Sequence, residues 1–98
     1  MNRKIYISGP VSNDKNHKKK FLKKQKELER EGYQVINPVV KVKEVNGKTW
    51  LRYLIECLEL IEKEQPEEAY MLMDWESSDG ARIERLVMLH NEKLVIEE

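Results

Sequence analysis

Short apolar runs alternate with longer amphipathic segments along this chain. Four runs rich in β-branched and aromatic residues are bounded by turn-forming residues, which is typical of buried strands; they cover residues 4–8, 33–37, 69–73 and 93–96. Between them, apolar side chains recur three or four positions apart, which indicates helices; these cover residues 15–31 and 48–64, with a third beginning at Ala81. The predicted order is therefore β-α-β-α-β-α-β.

Alternating strands and helices predict an α/β fold of three layers, in which a four-stranded parallel sheet carries helices on both faces. Right-handed crossovers favour the flavodoxin-like strand order 2-1-3-4. Residues 39–47 fit either an edge strand or a loop, because valines alternate there with lysines. No repeat or linker divides the chain, so we predict one domain over residues 1–98.

The predicted topology also predicts where a ligand binds. In open parallel sheets, ligands bind beyond the carboxyl ends of the strands at the point where the strand order reverses. Here that point lies between the first and third strands, so residues 8–13 should meet residues 74–80. The second loop precedes a helix, whose first N–H groups form a natural anion site. Glu84 follows shortly after and is either a catalytic carboxylate or one more surface charge.

Composition narrows the class of protein. Charged residues make up 37% and hydrophobic residues 40% of the chain, which suits a globular protein. No apolar run approaches the roughly 20 residues of a membrane span, and the first residues lack the apolar core of a signal peptide. We therefore expect a cytoplasmic protein that does not contact membranes. The single Cys57 excludes an intrachain disulfide, and its apolar surroundings predict packing rather than chemistry.

Metal and cofactor motifs are missing from the sequence. His17 and His90 have no partners at metal-ligand spacing, so no metal site is predicted. Gly9 and Gly80 form neither a dinucleotide-binding fingerprint nor a phosphate-binding P-loop. We expect no cofactor.

Charge is unevenly distributed although the net charge is zero. Residues 1–50 hold 13 Lys and Arg against 5 Asp and Glu, whereas residues 51–98 hold 5 against 13. These halves are either two solvated faces of one domain or complementary surfaces of neighbouring subunits. The first helix is rich in lysine, but zero net charge and the lack of interleaved aromatic residues favour a solvated face over nucleic-acid binding.

Three motifs in register resemble the nucleoside 2-deoxyribosyltransferase superfamily. They are KIYISGP at residues 4–10, GYQVINP at 32–38 and YMLMDWESSDGARIE at 70–84. The similarity covers nearly the whole chain and is greatest to a small phage and bacterial branch of uncharacterised domains, the DUF4406-like proteins. In the superfamily an aspartate usually precedes the third strand, where this chain has Glu67 and Glu68.

The resemblance implies roles for individual residues. Glu84 matches the superfamily's nucleophilic glutamate, Ser78 matches the serine that holds a 5′-phosphate, and Tyr6 matches a tyrosine near the first-loop glycine. An N-glycosidic bond to 2-deoxyribose breaks through an oxocarbenium-like state, for which a carboxylate nucleophile is well suited. The helix N-terminus nearby should favour the ionised carboxylate.

The reaction also needs an acid that protonates the departing base or positions water. Asp79 and Asp74 are the candidates, although each could equally cap or solvate the turn. Trp75 could stack on a base or be buried in the core or an interface. The full set of expected substrate-binding residues comprises Tyr6, Ser8, Gly9, Pro10, Asn37, Trp75, Ser77, Ser78 and Gly80.

The sequence leaves two classes of function open. The first is an enzyme, a transferase or hydrolase, that acts on a 2-deoxynucleoside or its 5′-monophosphate through Glu84. The second is a non-catalytic protein that keeps a degenerate site for a nucleotide-like ligand. In both, the partner is a small nucleoside or nucleotide. A homo-oligomer is also expected, because a small sheet leaves apolar patches exposed and the resemblance implies shared sites.

Overall fold

Four parallel strands form the centre of the protein in the order β2-β1-β3-β4. The computed structural model describes residues 2–12 and 14–98. Its strands are β1 (Lys4–Ser8), β2 (Gln34–Ile36), β3 (Glu68–Met71) and β4 (Leu94–Glu97). The predicted α/β fold and strand order are confirmed; β1 has the predicted ends, and the ends of the other strands differ from the predicted ones by one or two residues. Asn13, which belongs to the predicted first loop, lies outside the described residues.

The helices are α1 (His17–Arg30), α2 (Pro38–Lys41), α3 (Trp50–Glu64) and α4 (Asp79–His90), with a 3-10 turn at Trp75–Ser77. Side-chain caps set two of the starts. The Thr49 hydroxyl accepts a hydrogen bond from the N–H of Arg52 at 3.0 Å, and the Ser78 hydroxyl accepts one from the N–H of Ala81 at 3.2 Å. These bonds satisfy N–H groups that the first turn leaves unpaired. Helix α4 therefore begins two residues earlier than predicted.

The edge strand considered for residues 39–47 is wrong. Pro38–Lys41 instead forms a single helical turn, because the Asn37 side chain accepts a hydrogen bond from the N–H of Val39 at 3.0 Å. Proline suits the first helical position, since its φ is already helical and it lacks an N–H to satisfy. Residues 42–49 then follow an irregular path to α3.

The core has two parts, one on each face of the sheet. Successive side chains of a strand point to opposite faces. On β1, Ile5 and Ile7 therefore pack with Phe21 and Leu28 of α1. Tyr6 lies on the other face, in a cluster with residues of α3 and α4 that includes Ile61, Ala81 and Met88. The same alternation places Ser8 beside Tyr6, toward α3 and α4.

Gly9 allows the loop after β1 to pass against the end of β3. A Cβ added there would lie 2.8 Å from the Cβ of Leu72, closer than packed carbon atoms approach. The loop is also tied to β3 by the backbone hydrogen bond from the N–H of Leu72 to the Ser8 carbonyl at 2.8 Å. Within the described chain, no helix is both long enough and apolar enough to cross a membrane.

Candidate functional site

A cavity of about 540 Å³ opens beyond the carboxyl ends of β1 and β3. This volume lies in the range of small-molecule sites. Its wall contains Gly9 of the first loop, Ser78 and Gly80 at the start of α4, Glu84 of the same helix, and Cys57 of α3. The loops after the first and third strands thus meet where the topology predicts.

Glu84 lies at the inner end of this cavity with only 7% of its surface exposed. The Tyr6 hydroxyl donates a hydrogen bond to Glu84 Oε2 at 3.0 Å, and the Ser8 hydroxyl donates one to Oε1 at 2.6 Å. Both donors are themselves buried on one face of β1. Each carboxylate oxygen therefore has its own donor on a rigid strand, which fixes the orientation of the carboxyl group.

Burial raises the pKa of Glu84 from 4.5 to about 7, while hydrogen bonds from Ser8 and Tyr6 limit the rise. We expected the helix N-terminus to favour the ionised form, but desolvation is the larger effect here. Burial and the nearby Glu84 charge also raise the pKa of Tyr6 well above its usual value, so Tyr6 stays a hydrogen-bond donor. Near neutral pH the carboxyl group is therefore present in both protonation states, as in many acid-base sites.

Helix α3 supplies a wall that the sequence did not lead us to expect. Tyr53 and Cys57 lie one turn apart on the same face of α3 and both line the cavity. The Tyr53 hydroxyl is buried and has no hydrogen-bond partner in the part of the chain that the structure describes. Burial raises the pKa of the Cys57 thiol to about 12, so the thiol is protonated and packs rather than reacts. The signal for Tyr53 in the sequence is a polar group on an apolar helix face.

The connection between α2 and α3 forms the outer wall. Glu44, Val45, Asn46 and Lys48 line the cavity. Lys48 is fixed by an ion pair with Glu56 at 2.8 Å. The alternation of valine with lysine ends at Lys43, so the sequence could predict only an edge strand or a loop here.

The start of α4 lies at the predicted anion site, and Ser78 and Gly80 there line the cavity. The Ser78 oxygen accepts a hydrogen bond from Ala81, which leaves the hydroxyl hydrogen of Ser78 free to donate to a ligand. Backbone N–H groups of the first turn lie beside it, and a helix N-terminus attracts negative charge. Ser77 is different, because it is exposed and its hydroxyl donates to the Asp74 carbonyl at 2.7 Å.

Asp74 and Asp79, the predicted assisting acids, do not line the cavity. Both are exposed. The Asp79 carboxylate forms an ion pair with Arg82 on the outer side of α4. Asp74 occupies the turn after β3 with a φ of 68°, a left-handed conformation that aspartate tolerates better than most residues. The structure therefore places these acids outside the cavity that holds Glu84.

Three other predicted binding residues, Asn37, Trp75 and Pro10, do not line the cavity. Asn37 is buried, and besides capping α2 it donates a hydrogen bond to Gln25 at 3.0 Å. Trp75 packs against the core cluster on the α4 face, and Arg85 lies 4.9 Å from its ring centre. Pro10 is half-buried and is not part of the cavity wall.

Glu68 lies at the end of the sheet opposite the cavity. It is one of the two acids that this chain has where the superfamily usually has an aspartate. It is buried at the start of β3. It pairs with Arg3 at 2.5 Å and accepts a hydrogen bond from Tyr33 at 3.0 Å. These partners indicate a structural role for Glu68. Among the residues that the structure describes, no group of three or more His, Cys, Asp or Glu side chains could hold a metal ion.

Comparison with family models gives one match, described as a domain of unknown function (DUF4406), over residues 3–97. Searches of curated proteins and of solved structures give no match.

Proposed function

This chain belongs to the DUF4406 family of domains of unknown function, and we propose that it cleaves or transfers the N-glycosidic bond of a 2-deoxynucleoside or its 5′-monophosphate. The observation that carries the proposal is the buried Glu84 carboxyl group, held by two hydroxyl donors beside a cavity of ligand size. The resemblance of residues 4–10, 32–38 and 70–84 to the nucleoside 2-deoxyribosyltransferase superfamily supports the same assignment.

Glu84 acts as the nucleophile in this proposal. Its ionised oxygen attacks the anomeric carbon C1′ of the 2-deoxyribosyl group as the bond to the base breaks. Because Tyr6 and Ser8 hold the carboxyl group, little orientational freedom is lost on reaching the transition state. Burial removes water from the carboxylate and makes it a stronger base than an exposed glutamate. Water then resolves the glycosyl-enzyme in a hydrolase, or a second base does so in a transferase.

The 5′-phosphate or 5′-hydroxyl binds at the start of α4. The Ser78 hydroxyl and the N–H groups of Asp79 and Gly80 donate to its oxygens, and the helix dipole favours the phosphate charge. Gly9 and Gly80 keep the backbone accessible on both sides of this region. The sugar then lies between the phosphate site and Glu84, which belong to the same helix.

A second candidate function is non-catalytic binding of a nucleotide-like ligand. The observation that favours it is the placement of Asp74 and Asp79 outside the cavity wall, which leaves Glu84 without the expected assisting acid. The buried Glu84 carboxyl group would then hydrogen-bond a sugar hydroxyl instead of attacking C1′.

We also propose a homo-oligomer, with no cofactor. A double displacement through carboxyl groups needs no cofactor. The side chains of Trp50 and Leu51 are 49% and 57% exposed at the start of α3, next to the cavity, and a neighbouring subunit would cover them.

The experiment is base release, measured by chromatography, from each 2-deoxynucleoside and its 5′-monophosphate. Wild type should release a base, and Glu84→Gln, which keeps the size of the side chain, should lose activity by roughly 10³-fold or more, as when other enzymic nucleophiles are removed. Circular dichroism should confirm that the variant is folded. If wild type releases no base but binds the nucleotides in calorimetry, the binding function is correct. Equal activity of both proteins would remove Glu84 from the mechanism.

A further inference from the structure

His17 forms a hydrogen bond with Glu44, which is a residue of the cavity wall. Glu44 belongs to the connection before α3 and lines the cavity, whereas His17 is the first residue of α1. His17 Nε2 lies 2.8 Å from Glu44 Oε1, and His17 Nδ1 lies 2.8 Å from the backbone carbonyl oxygen of Asp14. The His17 side chain is 12% exposed and that of Glu44 is 39% exposed. The imidazole is therefore held at both nitrogens.

Both ring nitrogens of His17 face oxygen atoms. A carbonyl oxygen can only accept, so Nδ1 must donate to Asp14. A neutral imidazole has a single N–H, and its Nε2 would then direct a lone pair at a carboxylate oxygen, which also only accepts. A separation of 2.8 Å between two acceptors is repulsive unless a proton lies between them. A proton shared between His17 Nε2 and Glu44 Oε1 would make this contact attractive, and a shared proton of this kind can be transferred to a ligand.

The turn that holds His17 is itself fixed. The Asp14 carboxylate accepts a hydrogen bond from the N–H of Asn16 at 2.9 Å and pairs with Lys20 at 2.8 Å. The Asp14 side chain is therefore engaged elsewhere, and only its backbone carbonyl meets the imidazole. This arrangement keeps Nε2 directed at Glu44.

Glu44 and Glu84 both line the cavity and both influence Tyr53. After burial and the neighbouring Cys57, both carboxylates contribute to raising the pKa of Tyr53, whose hydroxyl is buried without a partner among the described residues. Apart from the weak partner that the Cys57 thiol provides, a buried hydroxyl without a hydrogen bond costs roughly 1–3 kcal/mol, which a ligand or water molecule bound in the cavity would offset. Tyr53, Glu44 and Glu84 all line the same cavity, so a ligand bound there would face both carboxyl groups.

Building on the proposed function, we propose that the His17–Glu44 pair is the general acid that protonates the departing base. In the first step a Glu84 oxygen bonds to C1′, the C1′–N bond breaks, and its electron pair goes to the base nitrogen, which takes the proton of the pair. In the second step a water oxygen bonds to C1′, the C1′–Glu84 ester bond breaks, and the proton of the water returns to the pair. One group thus serves as acid and then as base, as in retaining glycosidases.

The test compares two leaving groups with the full chain. One substrate is the 2-deoxynucleoside 5′-monophosphate that wild type cleaves best, and the other is 4-nitrophenyl 2-deoxyribofuranoside 5′-phosphate, whose nitrophenolate departs without a proton. Glu44→Gln should slow release of the natural base by roughly 10²–10⁴-fold, the usual contribution of a general acid, and change nitrophenolate release only a few-fold. His17→Asn should likewise slow release of the natural base much more than release of nitrophenolate. This variant tests the assignment independently if Glu44→Gln is unstable.

Glu97→Gln is the matched control. Glu97 forms an ion pair with Arg85, and its side chain is 41% exposed, close to the value for Glu44, but it does not line the cavity. This variant should cleave both substrates like wild type.

Two results would overturn the assignment while leaving the proposed function intact. One is an equal loss on both substrates in Glu44→Gln and His17→Asn, which would indicate a structural role. The other is undiminished release of the natural base by both variants. If wild type releases neither leaving group, the proposed function fails and the general-acid assignment fails with it.

Discussion

Glu84 combines burial with a charge that burial disfavours. Its hydroxyl hydrogen-bond donors are Tyr6 and Ser8, and neither carries a positive charge. Taking a carboxylate out of water without a cationic partner is unfavourable. A carboxyl group kept under such conditions, facing a cavity, is more often found at functional sites than in structural cores.

The burial of the Glu84 carboxyl group predicts how the stability of the fold depends on pH. Because the folded-state pKa of Glu84 is about 7 and the unfolded value is near 4.5, the folded state binds the proton more tightly. The stabilisation is fully present below pH 4.5 and is lost as pH rises through 7, by roughly 3 kcal/mol in total. Glu84→Gln removes this titration. Between pH 5 and pH 8, urea denaturation should therefore show a smaller fall in the free energy of unfolding for Glu84→Gln than for wild type.

Measuring both proteins at each pH isolates Glu84 from other groups that titrate in the same window, because those groups are common to the two chains. An identical pH dependence of unfolding in wild type and Glu84→Gln would contradict the raised pKa.

At the scale of elements, the strands and long helices were predictable and the outer cavity wall was not. Period-two and period-3.6 patterns depend on burial of one face, and residues 4–8 and 48–64 show them clearly. The connection over residues 42–49 has no such pattern. Its path depends on contacts between residues distant in sequence, such as His17 with Glu44, which periodicity cannot reveal.

The candidate site likewise contains residues that the sequence predicted and residues that it misplaced. Gly9, Ser78 and Glu84, which topology and the family resemblance pointed to, do line one cavity. Asp79 was also expected in the cavity, but it is the first residue of α4 and pairs outward with Arg82. The direction of one side chain in a turn depends on local partners that the spacing of residues does not encode.

Gly9→Ala tests the close contact between the first loop and β3. The added Cβ would lie 2.8 Å from that of Leu72, so backbone or side chain must shift, at a cost of roughly 1–3 kcal/mol. Gly80→Ala is the matched change, since its Cβ would meet only Leu54 at 3.8 Å and alanine favours a helix. Urea denaturation should show a lower midpoint for Gly9→Ala and no loss for Gly80→Ala. Equal midpoints for the two variants would show that the loop tolerates the extra carbon.

At the scale of the whole molecule, the opposite charges of the two halves meet within one chain. Among residues 2–12 and 14–98, basic residues of the first half pair with acidic residues of the second in four ion pairs, namely Arg3–Glu68, Lys4–Glu64, Lys24–Glu98 and Lys48–Glu56. Part of the charge difference between the two halves is therefore neutralised by ion pairs within a single chain. Fewer charges remain for electrostatic attraction between subunits than the net charges of the two halves of the sequence imply.

The exposed Trp50 and Leu51 lead us to predict a homodimer or a larger closed oligomer. Light scattering at micromolar concentration should give a mass that is a multiple of 11.7 kDa, and Leu51→Glu should shift it toward the monomer by placing a charge in the apolar contact. Glu59→Gln, an exposed change on the same helix, serves as the control. A single 11.7 kDa species for wild type would contradict the predicted assembly.

The most direct test of the central claim is to look for the bond between Glu84 and the sugar. Wild-type protein is mixed with a 2-deoxynucleoside 5′-monophosphate, quenched in acid within one turnover, and its intact mass and peptides are measured. If Glu84 is the nucleophile, the mass should rise by one 2-deoxyribosyl 5-phosphate group, located on the peptide that contains Glu84, and Glu84→Gln should gain none. Base release by wild type without any adduct, or with an adduct on another residue, would contradict the assignment of Glu84 as nucleophile.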